Sequence, residues 1–371
     1  MFIKTTIVEN LNDVISLEGP TGTGKTMSFL IVKEYLDGLI KDGLLHGGIV
    51  YINGKNKTVI DVLVDVIHSF GYEVPRRGYS FGYYIDKLMD IAKDVGHIHI
   101  CVDEIDKVKG GRNTVEDLLY YLSRTQNVSA TIITNNFQFF RTITDPRVRG
   151  SITKDKTIIF ERYNYDQCYN ILKERCKLAF VDGAIDDDAI KLAAEITSFE
   201  QGNIRSGLEI LRKSVQIALS TNKDKITKEI VKMASEDIRL RKYSEKILAL
   251  PASLRLIIMA AYFLRLEKCR TVFSSREIYY KQNEYRAILG KKTVALEIVW
   301  NALSELVEYG FLDQIKRSKG RGKGIERMYE LIYPLEAISY AFKRDPELKE
   351  LFNKELRGIK EKGRLREHGY T

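Results

Sequence analysis

The chain has 371 residues, of which 44% are hydrophobic and 29% are charged, and its formal net charge is +9. This length fits two or three domains rather than one compact core. No apolar run is long enough to cross a bilayer and no signal-peptide pattern opens the chain, so we expect a cytoplasmic protein. Four cysteines without a C-x-x-C pair predict reduced, mostly buried thiols rather than a metal site or a disulfide framework.

The first 160 residues alternate between short apolar runs and longer amphipathic stretches. Such alternation predicts an α/β core in which a parallel sheet is covered on both faces. The first apolar run ends in a Gly-rich turn and leads into a helical stretch over 27–40. The predicted strands are 14–18, 47–52, 98–102, 130–133 and 156–160.

After Tyr163 the apolar residues recur at spacings of three and four, which predicts helices. The stretches 166–179, 187–197 and 204–219 therefore form a small all-α lid, and the charged stretch 235–248 is a connecting helix or linker. The predicted division is an α/β core at 1–162, a helical lid at 163–234, a linker at 235–250, a C-terminal domain at 251–335 and a charged helical tail at 336–371, which we expect to be solvated from Lys343 onward.

Three helices and a hairpin are predicted in the segment that Pro251 opens. The first helix is 254–266, and the second starts near Ser274, a plausible N-cap. The third is 293–309, ended by Gly310 at the C-cap. Its predicted buried stripe comprises Leu296, Val299, Trp300, Leu303, Leu306 and Val307.

Two β-runs, 311–315 and 326–332, flank a Gly-rich basic tip and complete a winged helix. In such a domain the third helix lies in the major groove, where Asn301 would reach bases from its polar face. Winged helices also bind proteins, so the fold alone leaves the partner open. Charge favours DNA, because residues from Ala249 onward hold 24 Lys/Arg against 16 Asp/Glu, whereas the preceding 248 hold 35 against 34. The predicted DNA contacts here are Lys291, Lys292, Asn301, Arg317, Lys319, Arg321 and Lys323.

A phosphate-binding loop follows the first strand and precedes the first long helix. It reads Gly19-Pro20-Thr21-Gly22-Thr23-Gly24-Lys25-Thr26 and matches G-x-x-x-x-G-K-[ST]. Its glycines let backbone N–H groups surround phosphates at a helix N-terminus. We expect Lys25 to reach the β- and γ-phosphates of ATP or ADP and the Thr26 hydroxyl to ligate Mg²⁺.

Four polar residues are predicted to meet this loop. Asp103 and Glu104 end the strand 98–102 at the sheet edge where α/β proteins bind ligands, so Asp103 would hold Mg²⁺ through water and Glu104 would activate the attacking water. Asn135 follows the next strand, and Arg205 lies at the start of a lid helix. Asn135 could also be an ordinary turn residue and Arg205 a surface arginine.

The order of motifs resembles the archaeal replication initiator family, related to the eukaryotic origin recognition complex and its helicase-loading partner. The motifs are GPTGTGKT, VYING, VPRRGYS, CVDEID, ITNN, DPRVRGS and GNIRSGLEIL. The resemblance implies an AAA+ core with an all-α lid and a C-terminal winged helix. It makes Lys25 and Thr26 the Walker A residues, Asp103 and Glu104 Walker B, Asn135 sensor one and Arg205 sensor two.

The resemblance also implies roles for two arginine pairs. Arg147 or Arg149, with Arg149 preferred, would complete the nucleotide site of a neighbouring subunit. Arg76 and Arg77 would make a second DNA contact from the initiator-specific insertion, although a solvated basic loop is the competing interpretation. The chain departs from the family in the short stretch before the phosphate loop, which puts adenine affinity in question.

These patterns predict an ATP-dependent initiator that binds double-stranded origin DNA and helps recruit or load the replicative helicase, associated with the nucleoid and with other initiator subunits. Slow hydrolysis of ATP would act as its switch. Two alternatives are a DNA-binding regulator with structurally held nucleotide and another AAA+/winged-helix ATPase, acting in branch migration or transposition.

Overall fold

The computed structural model describes residues 2–110, 114–136, 139–151, 157–200, 202–318 and 325–361. The chain divides into two compact units, Met1–Lys228 and Glu229–Thr371. The five-part domain division remains a prediction within this two-unit frame. Among the helices that the structure describes, none is both long and apolar enough to span a bilayer.

A parallel five-stranded sheet forms the centre of the first unit. The spatial order is β2-β3-β4-β1-β5, and each of the five predicted strand positions is confirmed. The strands are β1 Val14–Glu18, β2 Gly48–Asn53, β3 Ile98–Asp103, β4 Val128–Thr134 and β5 Thr157–Ile159. Because β1 lies between β4 and β5, the loop after β1 stands at the carboxyl edge beside the end of β4.

Both faces of the sheet are covered, as the apolar strands require. Seven helices of this part are α1 Phe2–Val8, α2 Lys25–Lys41, α3 Val59–Ser69, α4 Phe81–Val95, α5 Val115–Leu122, α6 Phe139–Thr142 and α7 Pro146–Ser151. Neighbouring residues of β1 point to opposite faces, so Val14 packs in the cluster with α3 and α4, and Ile15 packs with α2. The short helix α1 also packs on the α2 side, through Ile7.

The lid consists of α8 Tyr165–Ala179, α9 Asp187–Phe199 and α10 Ile204–Ser220. Asn164 caps α8 in a reciprocal capping box with Gln167, and Asn203 caps α10. Gly207 lets α10 approach α8 closely, since a Cβ there would lie 3.1 Å from a methyl carbon of Leu172. The lid therefore has its own packed interior within the first unit.

The second unit contains the three helices and the antiparallel hairpin that the sequence predicts for a winged helix. Its elements are α11 Lys228–Leu248, α12 Ala252–Lys268, β6 Val272–Ser274, α13 Ser275–Ile288, α14 Leu296–Glu308, β7 Leu312–Ser318, β8 Ile325–Leu331, α15 Leu335–Phe342 and α16 Lys349–Glu361. The β7–β8 hairpin is antiparallel, and β8 also pairs with β6. Ser274 caps α13, as predicted, and the cap is a reciprocal capping box with Glu277.

Helix α14 begins three residues later than predicted. The side chain of Asn283 accepts the Val294 N–H at 3.0 Å and donates to the Val294 carbonyl at 3.1 Å. These bonds hold the backbone before α14 in a non-helical conformation, so helical hydrogen bonding starts only beyond it.

The prediction of a solvated tail is wrong for its described part. Leu348, Phe352 and Ile359 of the tail are buried in the same apolar cluster as α12. Asp345, fully buried, lies 3.2 Å from Nη1 of Arg255 on α12. The tail helix therefore belongs to the core of the second unit.

Candidate nucleotide site and DNA-reading surface

The phosphate loop takes the shape that its sequence predicts. Gly22 and Gly24 have φ angles of 84° and 91°, a region that favours glycine, and α2 begins at Lys25 directly after the loop. Lys25 is 4% exposed, and its Nζ donates to the carbonyl oxygens of Gly19 and Pro20, each at 2.7 Å. Burial lowers the pKa of Lys25, and nearby Asp103 partly opposes this shift. The loop thus forms a compact, positively charged cradle at a helix N-terminus.

Asp103 and Thr26 lie together at the edge of the sheet. The Thr26 hydroxyl donates to Oδ2 of Asp103 at 2.6 Å, although the two residues are 77 positions apart in the chain. A threonine hydroxyl and a carboxylate beside a phosphate loop are the oxygen ligands that Mg²⁺ prefers. Among the residues that the structure describes, no group of three or more His, Cys, Asp or Glu forms a metal cage. The ligand set therefore fits a cation that also uses phosphate oxygens.

Tyr51 is a residue of this site that the sequence prediction missed. Its hydroxyl donates to the same Asp103 oxygen, at 2.8 Å, from the neighbouring strand β2. Burial, followed by the bond to Asp103, raises the pKa of Tyr51, which keeps its hydroxyl protonated as a donor. The available signal was a tyrosine in a buried parallel strand, two residues before the position paired with Asp103.

Glu104 and Asn135 also lie at the carboxyl edge of the sheet. Glu104 has a φ of 52°, and its N–H donates to Oδ1 of Asp103 at 2.8 Å. A non-glycine residue in this region is strained, and such strain clusters at functional sites. Asn135 follows directly after β4 and is half-buried. Next to it Thr134 donates to Asp106, whose charge also acts on Lys25.

Arg205 is brought to the phosphate loop by the lid. It is exposed in the first turn of α10, and its positive charge lowers the pKa of Lys25, although burial has the larger effect. Arg205 therefore lies close enough to the loop for its charge to act on Lys25, where Asp103 and Asp106 act in the opposite direction.

Arg147 and Arg149 make contacts of a different kind, on α7. Arg147 forms a salt bridge with Asp145 at 2.7 Å and lies over the Tyr120 ring at 4.7 Å. Arg149 donates to the Ile143 carbonyl at 2.7 Å. Both side chains are exposed. Which of them acts on a neighbouring subunit stays a prediction.

Arg76 is exposed but pairs with two carboxylates of the protein itself. Its guanidinium lies 2.6 Å from Asp65 and 3.3 Å from Asp61, and these contacts raise its pKa. Arg77 is exposed. Arg77 is therefore the better placed of the two for an external anion.

The described part of the second unit presents Lys291, Lys292 and Asn301 at its surface. Arg317 lies on β7 with only its backbone described, and Lys319, Arg321 and Lys323 lie outside the described residues. The expectation that Trp300 is buried is wrong, because 40% of it is exposed. Val299, Leu303 and Leu306 form the buried stripe, and Trp300 lies beside it.

The sheet order, the phosphate loop and the helical lid define an AAA+ nucleotide-binding core. Residues 169–236 match the family model of the Cdc6 AAA+ ATPase-type lid domain.

Relatives identify the family more closely. The chain is 32% identical to ORC1-type DNA replication protein 1 of Methanothermobacter thermautotrophicus, over 87% of this chain and 85% of that protein. It is 30% identical to the same-named protein of Sulfurisphaera tokodaii, over 83% of this chain and 77% of that protein. The structure of the Aeropyrum pernix ORC1 protein in complex with DNA matches with a TM-score of 0.65 and 29% identity, covering 91% of this chain and 88% of that one. The chain belongs to the ORC1-type DNA replication proteins, and the predicted relation to archaeal replication initiators is confirmed.

Proposed function

We propose that this initiator binds ATP and ADP in the cradle formed by residues 19–26. The observation that carries the proposal is the convergence of Lys25, Thr26 and Asp103 at one edge of the sheet, with Thr26 Oγ1 2.6 Å from Asp103 Oδ2. Backbone N–H groups of the loop and Lys25 bind the phosphates. Thr26 and, through water, Asp103 would hold Mg²⁺, which would neutralise charge on the phosphate oxygens.

Hydrolysis in this site needs an activated water. The Glu104 carboxylate accepts a proton from the water as its oxygen attacks the γ-phosphorus, and the bond to the β–γ bridging oxygen breaks. Asn135 orients the water, and Arg205 stabilises the charge that develops on the phosphates. An arginine of a neighbouring subunit, Arg149 or Arg147, completes the site. Because the isolated chain lacks that arginine in trans, its turnover is slow and serves as a switch.

The DNA-binding surface is the winged helix, with a further contact from the first unit. The exposed side of α14 carries Asn301, and the segment before this helix carries Lys291 and Lys292. The basic wing contributes Arg317, Lys319, Arg321 and Lys323. Support comes from the Aeropyrum pernix relative, whose structure was solved in complex with DNA. In the first unit Arg77 makes the second contact, with Arg76 supporting the loop through Asp61 and Asp65.

This arrangement suits a protein that binds double-stranded origin DNA in its ATP form, assembles with other initiator subunits and recruits the replicative helicase on the nucleoid. The proposal is tested by titrating labelled duplex DNA at several stated salt concentrations. Arg321→Ala/Lys323→Ala should weaken binding and lower the salt slope by about 0.9 for each lost phosphate contact.

The matched control is Lys223→Ala/Lys228→Ala, which removes two exposed charges at the end of the lid. It should leave affinity and slope unchanged. Equal effects of the two double variants would contradict the wing as the DNA contact.

A further inference from the structure

Two side chains lie directly against glycines of the phosphate loop: Tyr163, just before the first lid helix, and Asn203, at the start of α10. A Cβ built on Gly22 would fall 1.9 Å from Oδ1 of Asn203. A Cβ built on Gly24 would fall 2.7 Å from Oη of Tyr163. Both glycines also have positive φ. Their lack of a side chain therefore serves lid packing as well as backbone conformation.

Tyr163 holds one peptide group of the loop. Its hydroxyl donates to the carbonyl oxygen of Thr23 at 2.9 Å. In a trans peptide the carbonyl and the following N–H point in opposite directions. A bond that fixes the Thr23 carbonyl toward Tyr163 therefore directs the Gly24 N–H away from it. Burial raises the pKa of Tyr163, so the hydroxyl stays a donor at neutral pH.

Gly202 in turn fixes Tyr163. Its φ is 66°, and a Cβ there would lie 2.4 Å from the carbonyl oxygen and 2.7 Å from the nitrogen of Tyr163. The turn before α10 thus packs on the backbone of Tyr163, and the Tyr163 side chain packs on the loop. Movement of this turn would be transmitted to the peptide between Thr23 and Gly24.

Asn203 connects the same loop to Arg205. Its Oδ1 accepts the Arg205 N–H at 3.1 Å and caps α10, while this oxygen also faces Gly22. One side chain therefore sets both the start of the helix that carries Arg205 and the packing of the loop.

We infer that Tyr163 and Asn203 form a lid latch, two positioning residues that hold the phosphate loop in its binding shape and link nucleotide release to lid opening. A loop with three glycines has many conformations available, and the latch removes part of this freedom before nucleotide arrives. The link to nucleotide release rests on the proposed nucleotide site. The contact between the latch and the loop is independent of that proposal.

The first test measures hydrogen exchange of the amides at residues 22–26 in the full chain without nucleotide. Tyr163→Phe removes one neutral hydrogen bond and should speed exchange by about three- to tenfold. Tyr165→Phe is the matched control, since this neighbouring tyrosine is 40% exposed and stacks on Tyr169 rather than on the phosphate loop. Equal exchange in the wild type and Tyr163→Phe would overturn the latch, whether or not nucleotide binds.

A double-mutant cycle tests the Gly24 contact. Gly24→Ala should lower the melting temperature less in the Tyr163→Phe background than in the wild type. Backbone strain at φ 91° is the same in both, but removing Oη leaves Cζ at 4.0 Å as the nearest ring atom. Additive shifts in melting temperature would contradict the contact.

The third test follows release of a fluorescent ADP analogue with Mg²⁺ by stopped flow. Tyr163→Phe should release it about three- to tenfold faster, and Tyr165→Phe at the wild-type rate. An unchanged rate in Tyr163→Phe would refute the link between latch and release. If the wild type and Lys25→Ala both fail to bind the analogue, the proposed nucleotide site falls, while the exchange result still decides the latch.

Discussion

The hydroxyl of Tyr51 lies 2.8 Å from Oδ2 of Asp103, the same oxygen that accepts the Thr26 hydroxyl at 2.6 Å. Two donors from different elements thus orient one carboxylate at the edge of the sheet. Because partners of a metal-binding carboxylate set its orientation, Tyr51 should affect Mg²⁺ without touching nucleotide.

Tyr51→Phe should weaken Mg²⁺-dependent nucleotide binding by about tenfold. Nucleotide titrations with Mg²⁺ and with a chelator check this. The loss should appear only with Mg²⁺, because the hydroxyl acts through Asp103. Tyr35→Phe on α2, where the tyrosine is 62% exposed, serves as the control. An equal loss with chelator present would assign Tyr51 a general structural role instead.

Glu104→Gln should abolish ATP hydrolysis and preserve ATP binding. The amide keeps the size of the side chain but cannot accept the proton of the attacking water. Single-turnover hydrolysis and nucleotide affinity are the measurements. DNA-linked activity that continues unchanged in Glu104→Gln would favour the alternative of a regulator with structurally held nucleotide.

Trp300 provides a direct signal for DNA binding, because it is the only tryptophan in the chain and lies 40% exposed on α14. Duplex DNA should reduce quenching of its fluorescence by acrylamide, because the proposed DNA contact places this helix in the major groove. Trp300→Phe should lose the signal and still bind DNA. Unchanged quenching at saturating DNA would place the DNA contact away from α14.

Stability should depend on pH through two buried histidines. A ring nitrogen of His97 and one of His99 each form a hydrogen bond with the Ser129 hydroxyl. Burial lowers the pKa of His97 to about 4 and that of His99 to about 3. Their unfolded pKa is near 6.5, so the unfolded state binds more protons below that pH. Stability from the neutral rings is therefore complete above pH 6.5 and is lost as pH falls toward 4 and 3.

Between these pH values, each histidine should add up to about 1.4 kcal/mol per pH unit to the slope with which the free energy of unfolding falls. Urea unfolding of the wild type and His97→Asn/His99→Asn at several pH values measures this. A slope that is equal in both proteins would show that other groups govern the acid sensitivity.

Asp345→Ala should destabilise the second unit by roughly 3–5 kcal/mol, because it leaves the Arg255 guanidinium buried without its closest buried partner. Arg255 is 6% exposed and Asp345 is fully buried. Thermal unfolding of Arg255→Met/Asp345→Leu should show a smaller loss, since both charges are then removed. Glu347→Ala is the control, as this second partner is half-exposed. A double variant as unstable as Asp345→Ala would contradict the charge argument.

The sequence predicts the fold well where the signal is local. Buried strands are continuous apolar runs, and caps such as Ser274 and Asn203 are visible as residue types at helix starts. Features that depend on contacts between distant residues are harder to predict from the sequence. The start of α14 depends on Asn283, and the burial of Phe352 is concealed within a charge-rich tail.

Site prediction follows the same division. Lys25, Thr26 and Asp103 belong to contiguous motifs with a known geometry, and the structure brings them together. Tyr51 acts only through the register of β2 against β3, which no local pattern reports. Trp300 is next to Val299 of the buried stripe of α14. Helical periodicity alone therefore does not decide whether its side chain is buried.

The most direct test of nucleotide-controlled DNA binding is nuclease footprinting across the DNA that flanks the protein's own gene. Wild type and Lys25→Ala are compared with ATP, with ADP and without nucleotide, at near-physiological salt. A discrete repeated site, protected by the wild type with ATP and lost in Lys25→Ala, is the predicted result. Diffuse protection that ignores nucleotide and vanishes with modest salt would contradict it.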